Sequence, residues 1–196
     1  MSISKIQAES MNLADTYAFT GTVTGTPSDV VQVASASGGG TTTQVFNGCF
    51  TSTYKFYLVT ASFNVGSSSV VTVRYQDSSN AELSSAVYYN AGENDSVANG
   101  STSRASVGSW GATSITHGKA IIGTTEPSMK IFVFNPFASE KTLAHTTFHS
   151  QDNAGNFNSV NLSTTHDSGT SVTGIRFISD TGSFASRSEF RIYGFK

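Results

Sequence analysis

From Gln44 onward the chain is cut into short apolar runs, each closed by a cluster of Gly, Ser, Asn or Asp. The runs at 44–50, 54–65, 69–76, 83–90, 119–125, 129–135, 141–150, 158–165, 172–178 and 188–195 have the length and the turn-forming borders of strands. No interval sustains the 3.6-residue period of an amphipathic helix. Eight to ten strands in about 150 residues point to an all-β chain, and a jelly-roll-like two-sheet β-sandwich is the natural way to pair and bury them.

Composition narrows what such a sandwich can do. Only 12% of the 196 residues are charged, whereas 32 are Ser and 25 are Thr, so hydroxyls and amides must cover much of the surface. With 14 Phe and 7 Tyr the chain is too apolar for disorder, and the aromatic and Thr content favours strands. A net charge of −2 and no Lys/Arg cluster argue against nucleic acid as a partner. No run of 18 apolar residues is present, so membrane insertion is not expected. Residues 1–10 lack the apolar stretch of a secretory signal, and the single Cys49 allows no internal disulfide; assembly in a bacterial cytoplasm is the expectation. Cys49, among Phe46, Gly48 and Phe50, reads as a small buried hydrophobe.

Two strands are apolar on both faces. In Tyr54–Val59 and in Ile131–Phe134 neighbouring side chains point to opposite sides, yet nearly all are large and apolar. A sandwich face in water should alternate, so a loop, an N-terminal arm or a second subunit is needed over the outer side. The region 91–118 shows weak strand character and reads as the longest loop, carrying the only tryptophan, Trp110. With Tyr88 and Tyr89 just before that loop, Trp110 could form a platform for the apolar face of a sugar; a lone loop aromatic more often plugs the sandwich edge or a subunit contact.

Catalytic and metal chemistry find little support. There is no Gly-x-Ser-x-Gly, and Gly38-Gly39-Gly40 is not followed by the Lys-Ser/Thr of a phosphate loop. Asp77, Glu82, Glu93, Asp95, Asp152, Asp167 and Asp180 sit mostly in turns, where turn chemistry explains them. His145 and His149 share a strand face about 13 Å apart, too far for one metal, and His117 and His166 lie near turns. Only a trimer axis, gathering three copies of one His, would change that. No catalytic residue, metal or cofactor is expected. The Asn-x-Ser sequons at Asn94, Asn99 and Asn161 are as frequent as chance predicts among so many Ser and Thr.

The run Asn12-Leu13-Ala14-Asp15-Thr16-Tyr17-Ala18-Phe19-Thr20-Gly21-Thr22-Val23-Thr24-Gly25 is similar to the segment that precedes the distal module in fibre and other appendage proteins of marine bacteriophages. Phe46–Phe50 followed by Tyr54-Lys55-Phe56-Tyr57 resembles the opening of their sandwich modules. Ser171–Phe177 and Phe190–Lys196 resemble their closing strands. The resemblance implies a jelly-roll-like sandwich, frequently trimeric, whose N-terminal part docks on the particle. The chain has no shaft repeats, which fits a short tail fibre, a head-fibre or capsid decoration protein, or an accessory tail protein.

The expectation is therefore a non-enzymatic virion protein on the tail or capsid surface. Residues 1–25 would form a docking arm contacting other virion proteins through Ile3, Ile6, Met11 and Leu13, since apolar side chains on a polar arm gain by burial in a partner. Residues 26–43 would link it, through a short strand near Val30–Val33, to a sandwich over 44–196. Attachment to a host surface glycan would use the 91–114 loop. A stand-alone carbohydrate-binding module is the competing class.

Overall fold

The computed structural model describes residues 29–65, 69–98, 100–116, 126–151 and 155–196. Residues 1–25 with Ile3, Ile6, Met11 and Leu13, the run 119–125, His117, Asp152 and Asn99 lie outside the described residues. The described chain holds twelve strands and no helix. They are β1 (Val30–Ser37), β2 (Thr43–Phe46), β3 (Phe56–Ser62), β4 (Val71–Gln76), β5 (Tyr88–Ala98) and β6 (Ser101–Ala112). The second half contributes β7 (Ile115–Thr116), β8 (Ser128–Phe134), β9 (Thr142–Gln151), β10 (Phe157–His166), β11 (Gly174–Ser179) and β12 (Glu189–Phe195).

All pairings are antiparallel, and the central ones are nested: β1 pairs with β12, β2 with β11, β3 with β8 and β4 with β7. Joined through β12–β3 and β11–β4, they give the two sheets of a jelly roll, β1-β12-β3-β8 and β2-β11-β4-β7. Two hairpins are inserted into this roll. β5–β6 leaves between β4 and β7, and β9–β10 between β8 and β11. They meet along β10–β5 and attach through β9 to β8, extending one sheet to eight strands in the order β1-β12-β3-β8-β9-β10-β5-β6.

Alternation explains which side chains enter the core. Tyr57, Val59 and Ala61 of β3 and Met129, Ile131 and Val133 of β8 point inward and are buried. They meet an aromatic centre in which Phe190 contacts Phe177 at 5.1 Å and Phe184 at 5.3 Å between ring centroids. The outward residues at one end of these strands are Phe56, Leu58, Phe132 and Phe134, which accounts for the two-faced apolar pattern there. Cys49 is buried, its thiol directed at the Phe46 carbonyl at 3.5 Å, and burial pushes its pKa up to about 12. Such a thiol is inert near neutrality.

The short strand expected near Val30–Val33 is longer, Val30–Ser37, and forms an edge of the large sheet paired with β12. One sequence expectation changes. The region 91–118 is no loop, because most of it belongs to β5 and β6, the longest hairpin in the described chain. Few apolar residues mark it because Ser101–Ser106 are exposed at each position, so no alternation is written there. The ladder supplies what propensity lacks: β5 pairs with β10 over ten residue pairs.

A tyrosine fastens the turn before β3. The buried Tyr57 hydroxyl accepts a hydrogen bond from the Thr51 amide at 2.7 Å and donates to the Thr51 carbonyl at 3.0 Å, while its ring meets Phe50 at 4.7 Å. Tyr57→Phe orphans both backbone groups and is expected to lower stability by about 1–3 kcal/mol in urea unfolding. An unchanged midpoint would show that water replaces the hydroxyl without loss.

Candidate functional site

The outer face of the inserted hairpins carries the most distinctive surface. Cross-strand register aligns Tyr89 of β5 with Thr165 of β10, Thr165 with Leu143 of β9, and Leu143 with Phe134 of β8. These four border a hollow of about 480 Å³, which Ser109, Trp110, His145 and Ser163 also line.

Trp110 reaches this face through an irregularity in β6. Ala112 pairs with Tyr88 and Ser109 with Asn90, so two residues of β6, Trp110 and Gly111, stand opposite Tyr89 alone. Gly111 takes a φ of +64°, the left-handed conformation of a glycine β-bulge. Trp110 is 89% exposed and meets the Tyr89 ring edge-on at a centroid distance of 4.7 Å. It does not plug the sandwich edge.

Tyr88 is a correction to the sequence-derived trio. Adjacent strand residues face opposite ways, and Tyr88 points into the core, fully buried. Its hydroxyl accepts from the Tyr75 amide at 2.9 Å and donates to the Leu83 carbonyl at 2.8 Å. Only Tyr89 and Trp110 remain on the surface together.

Asn90 holds the floor of the hollow. Its amide nitrogen donates to Ser109 Oγ at 2.7 Å and to the Ser114 carbonyl at 3.3 Å, and its oxygen accepts from Thr164 Oγ1 at 3.0 Å. That ties β5 to β10 and β6 beneath the platform. Between the ends of β9 and β10, Lys141 and Asp167 form an ion pair at 2.9 Å, and the Asp167 hydrogen bond raises the Lys141 pKa.

Sequence reasoning missed Phe134, Leu143, His145, Ser163 and Thr165, which only strand pairing brings beside Tyr89. A readable signal for the hairpin did exist: Asn99-Gly100, a two-residue turn pair between two extended runs.

The acidic candidates are structurally engaged. Asp77 Oδ1 accepts from the Ser79 hydroxyl and from the Ser79 and Ala81 amides, which hold its carboxyl below the usual range. Asp180 is lowered in the same way, chiefly by Ser69. Glu82 bridges Arg74 and Arg176; burial pushes its pKa up, but the two guanidinium groups outweigh it and the net direction is down. Asp95 is lowered by its hydrogen bond from Arg104, which also pairs with Glu93. Among the described residues, no group of three His, Cys, Asp or Glu is placed to hold a metal ion. His145 and His149 share the outer face, whereas His166 lies in the core.

What remains is a class of surface: a jelly-roll sandwich whose inserted hairpins present the exposed Trp110 against the half-buried Tyr89, beside hydroxyls and an imidazole. Comparison of the chain with protein-family models, curated proteins and solved structures finds no match.

Proposed function

We propose that this chain is a non-enzymatic structural protein of a bacteriophage virion, a short tail fibre or surface appendage, and that its sandwich attaches to a host surface glycan. The particle assignment rests on the resemblance carried by residues 12–25, 46–57, 171–177 and 190–196. In this reading Ile3, Ile6, Met11 and Leu13 dock residues 1–25 on other virion proteins. The particle is completed in the host bacterial cytoplasm, and trimeric assembly follows the same resemblance.

The observation that carries the attachment role is Trp110, 89% exposed and edge-on to Tyr89 beside the hollow. An exposed indole costs solvation unless a ligand covers it, and aromatic faces match the C–H faces of pyranose rings. Ser163, Thr165 and His145 supply the hydrogen-bonding groups that would orient the sugar.

Binding of the intact protein to an array of microbial polysaccharides tests this reading. Trp110→Ala should lower affinity for whichever polysaccharide is retained at least about 10-fold, with an unchanged melting temperature. Equal binding by the variant removes the platform from the proposal. A carbohydrate-binding module acting apart from any particle would show the same Trp110 dependence. Particles assembled with a chain lacking residues 1–25 separate the two, since an appendage would then be lost from the virion and a free module would not be affected.

A further inference from the structure

The Tyr89–Trp110 platform is one end of a longer feature. Register continues the row across the large sheet: Tyr89, Thr165, Leu143, Phe134, then Phe56 of β3 and Phe195 of β12, with Val30 of β1 at the far end. Phe56 contacts Phe134 at 5.2 Å, Phe195 at 4.7 Å and Phe132 at 5.7 Å, so the aromatic surface is unbroken from β8 to β12. Phe134 lines the hollow and belongs to both parts.

The row crosses all eight strands, and seven steps of about 4.8 Å give it a length of roughly 34 Å. One row further along the strands lie Leu58, Phe132, His145 and Ser163. The next row is polar, with Arg191, Thr60, Lys130, Thr147, Asn161 and Glu93. The outer face is thus apolar along one border and hydrogen-bonding along the other.

We infer that this stripe is an extended binding surface for a linear polysaccharide, which lies across the strands from Trp110 to Phe195; the inference rests on the glycan reading above. Three features favour that occupant. The stripe is continuous with the hollow at Trp110. The strand spacing that sets the interval between Phe134, Phe56 and Phe195 is close to the advance of one pyranose along an extended glycan. A sugar chain is also amphipathic in the required sense, with C–H faces for the aromatic row and hydroxyls for the polar one. A second copy of the chain fits less well. Two rows cover roughly 500 Å², short of the ~800 Å² per partner of a stable protein interface.

The test is a length series, from one to eight sugar units, cut from the polysaccharide that the intact protein retains on the array and titrated calorimetrically. Affinity should climb about 100-fold between the disaccharide and a chain of about six units, then level off. Phe195→Ser should lower affinity for the longest chains about 10-fold and leave the disaccharide unchanged, whereas Trp110→Ala should weaken every length. Phe195→Leu, which keeps apolar packing and removes the aromatic face, serves if the serine variant melts early, and it should show the same length-selective loss. Affinity that levels off at two units overturns the stripe and leaves the Trp110 platform intact. Retention of no polysaccharide overturns both. Self-association of the intact chain that Phe195→Ser abolishes makes a second copy the occupant and overturns the inference. So does tighter binding of long chains after removal of residues 1–28, which would make that segment the occupant.

Discussion

Lowering the pH from 7 to 4 should cost the folded protein about 3 kcal/mol of stability through His166 alone. The side chain is 1% exposed, set between the rings of Tyr88 at 4.6 Å and Tyr75 at 5.6 Å. Its cross-strand neighbours are Thr142 and Tyr88. Nδ1 lies 3.3 Å from the Ser168 hydroxyl, and Nε2 has no partner among the described residues. Burial pulls its pKa down from 6.5 to about 4, against the opposing pull of the Asp167 carboxylate. The fold therefore favours the neutral ring. Its contribution is fully present above pH 6.5 and is lost as pH falls from there to about 4, where the folded state also takes up the proton. Urea unfolding at half-unit steps of pH should show this as a continuous loss, equivalent to roughly 10 °C of melting temperature. His166→Gln should flatten the profile in that window. A wild-type profile that is level from pH 7 to 4.5 would mean that water already reaches the imidazole. Below that window the lowered carboxyls of Asp77, Glu82, Asp95 and Asp180 add further losses of the same sign.

Gly92→Ala should be at least as damaging, for a reason that involves no titration. A Cβ at this position would stand 1.9 Å from the Asn161 carbonyl oxygen and 2.9 Å from the Leu162 Cα, both backbone atoms of β10. Neither strand has room to yield, because β10 is held between β9 and β5, and β5 between β10 and β6. One methyl group must push two interior strands apart, at an expected cost of about 3 kcal/mol or more. Gly39→Ala is the control, since a Cβ there meets nothing within 4 Å and should shift the midpoint by less than about 0.5 kcal/mol. If the two variants melt together, the close approach of β5 to β10 is relieved by a local bend.

How far the sequence foretells this molecule depends on whether a residue's role is decided along the chain or across it. Strands such as Ser128–Phe134 were legible because a short run of large apolar residues is closed on both sides by turn-forming residues. The two-faced apolar character of Ile131–Phe134 was legible too, and the structure places Phe132 and Phe134 on the outer face. β5 and β6 were not, because exposed positions bear no hydrophobic period and their stability comes from β10, some sixty residues later in the chain. Tyr88 and Tyr89 show the limit most plainly. As neighbours in a strand they cannot both face a ligand, but choosing between them requires knowing which side of the sheet is the core. Trp110 depends on an extra residue at Gly111, visible only once β6 is laid against β5. The aromatic stripe is still further from the linear text: Phe56, Phe134, Leu143 and Phe195 become a row only through register.

The nested pairing of β1 with β12, β2 with β11, β3 with β8 and β4 with β7 closes the roll without calling on β5, β6, β9 or β10. Those four strands hang from one side as a panel, and the panel carries Tyr89 and Trp110. Substitution can rewrite the panel's outward residues while its inward ones, among them Tyr88, Phe148, Leu162 and His166, stay packed in the core they share with the frame. A lineage built on this plan would diverge fastest at the outward positions of these four strands, such as Trp110, Leu143, His145 and Ser163, and would keep its identity longest in the strands that close the roll.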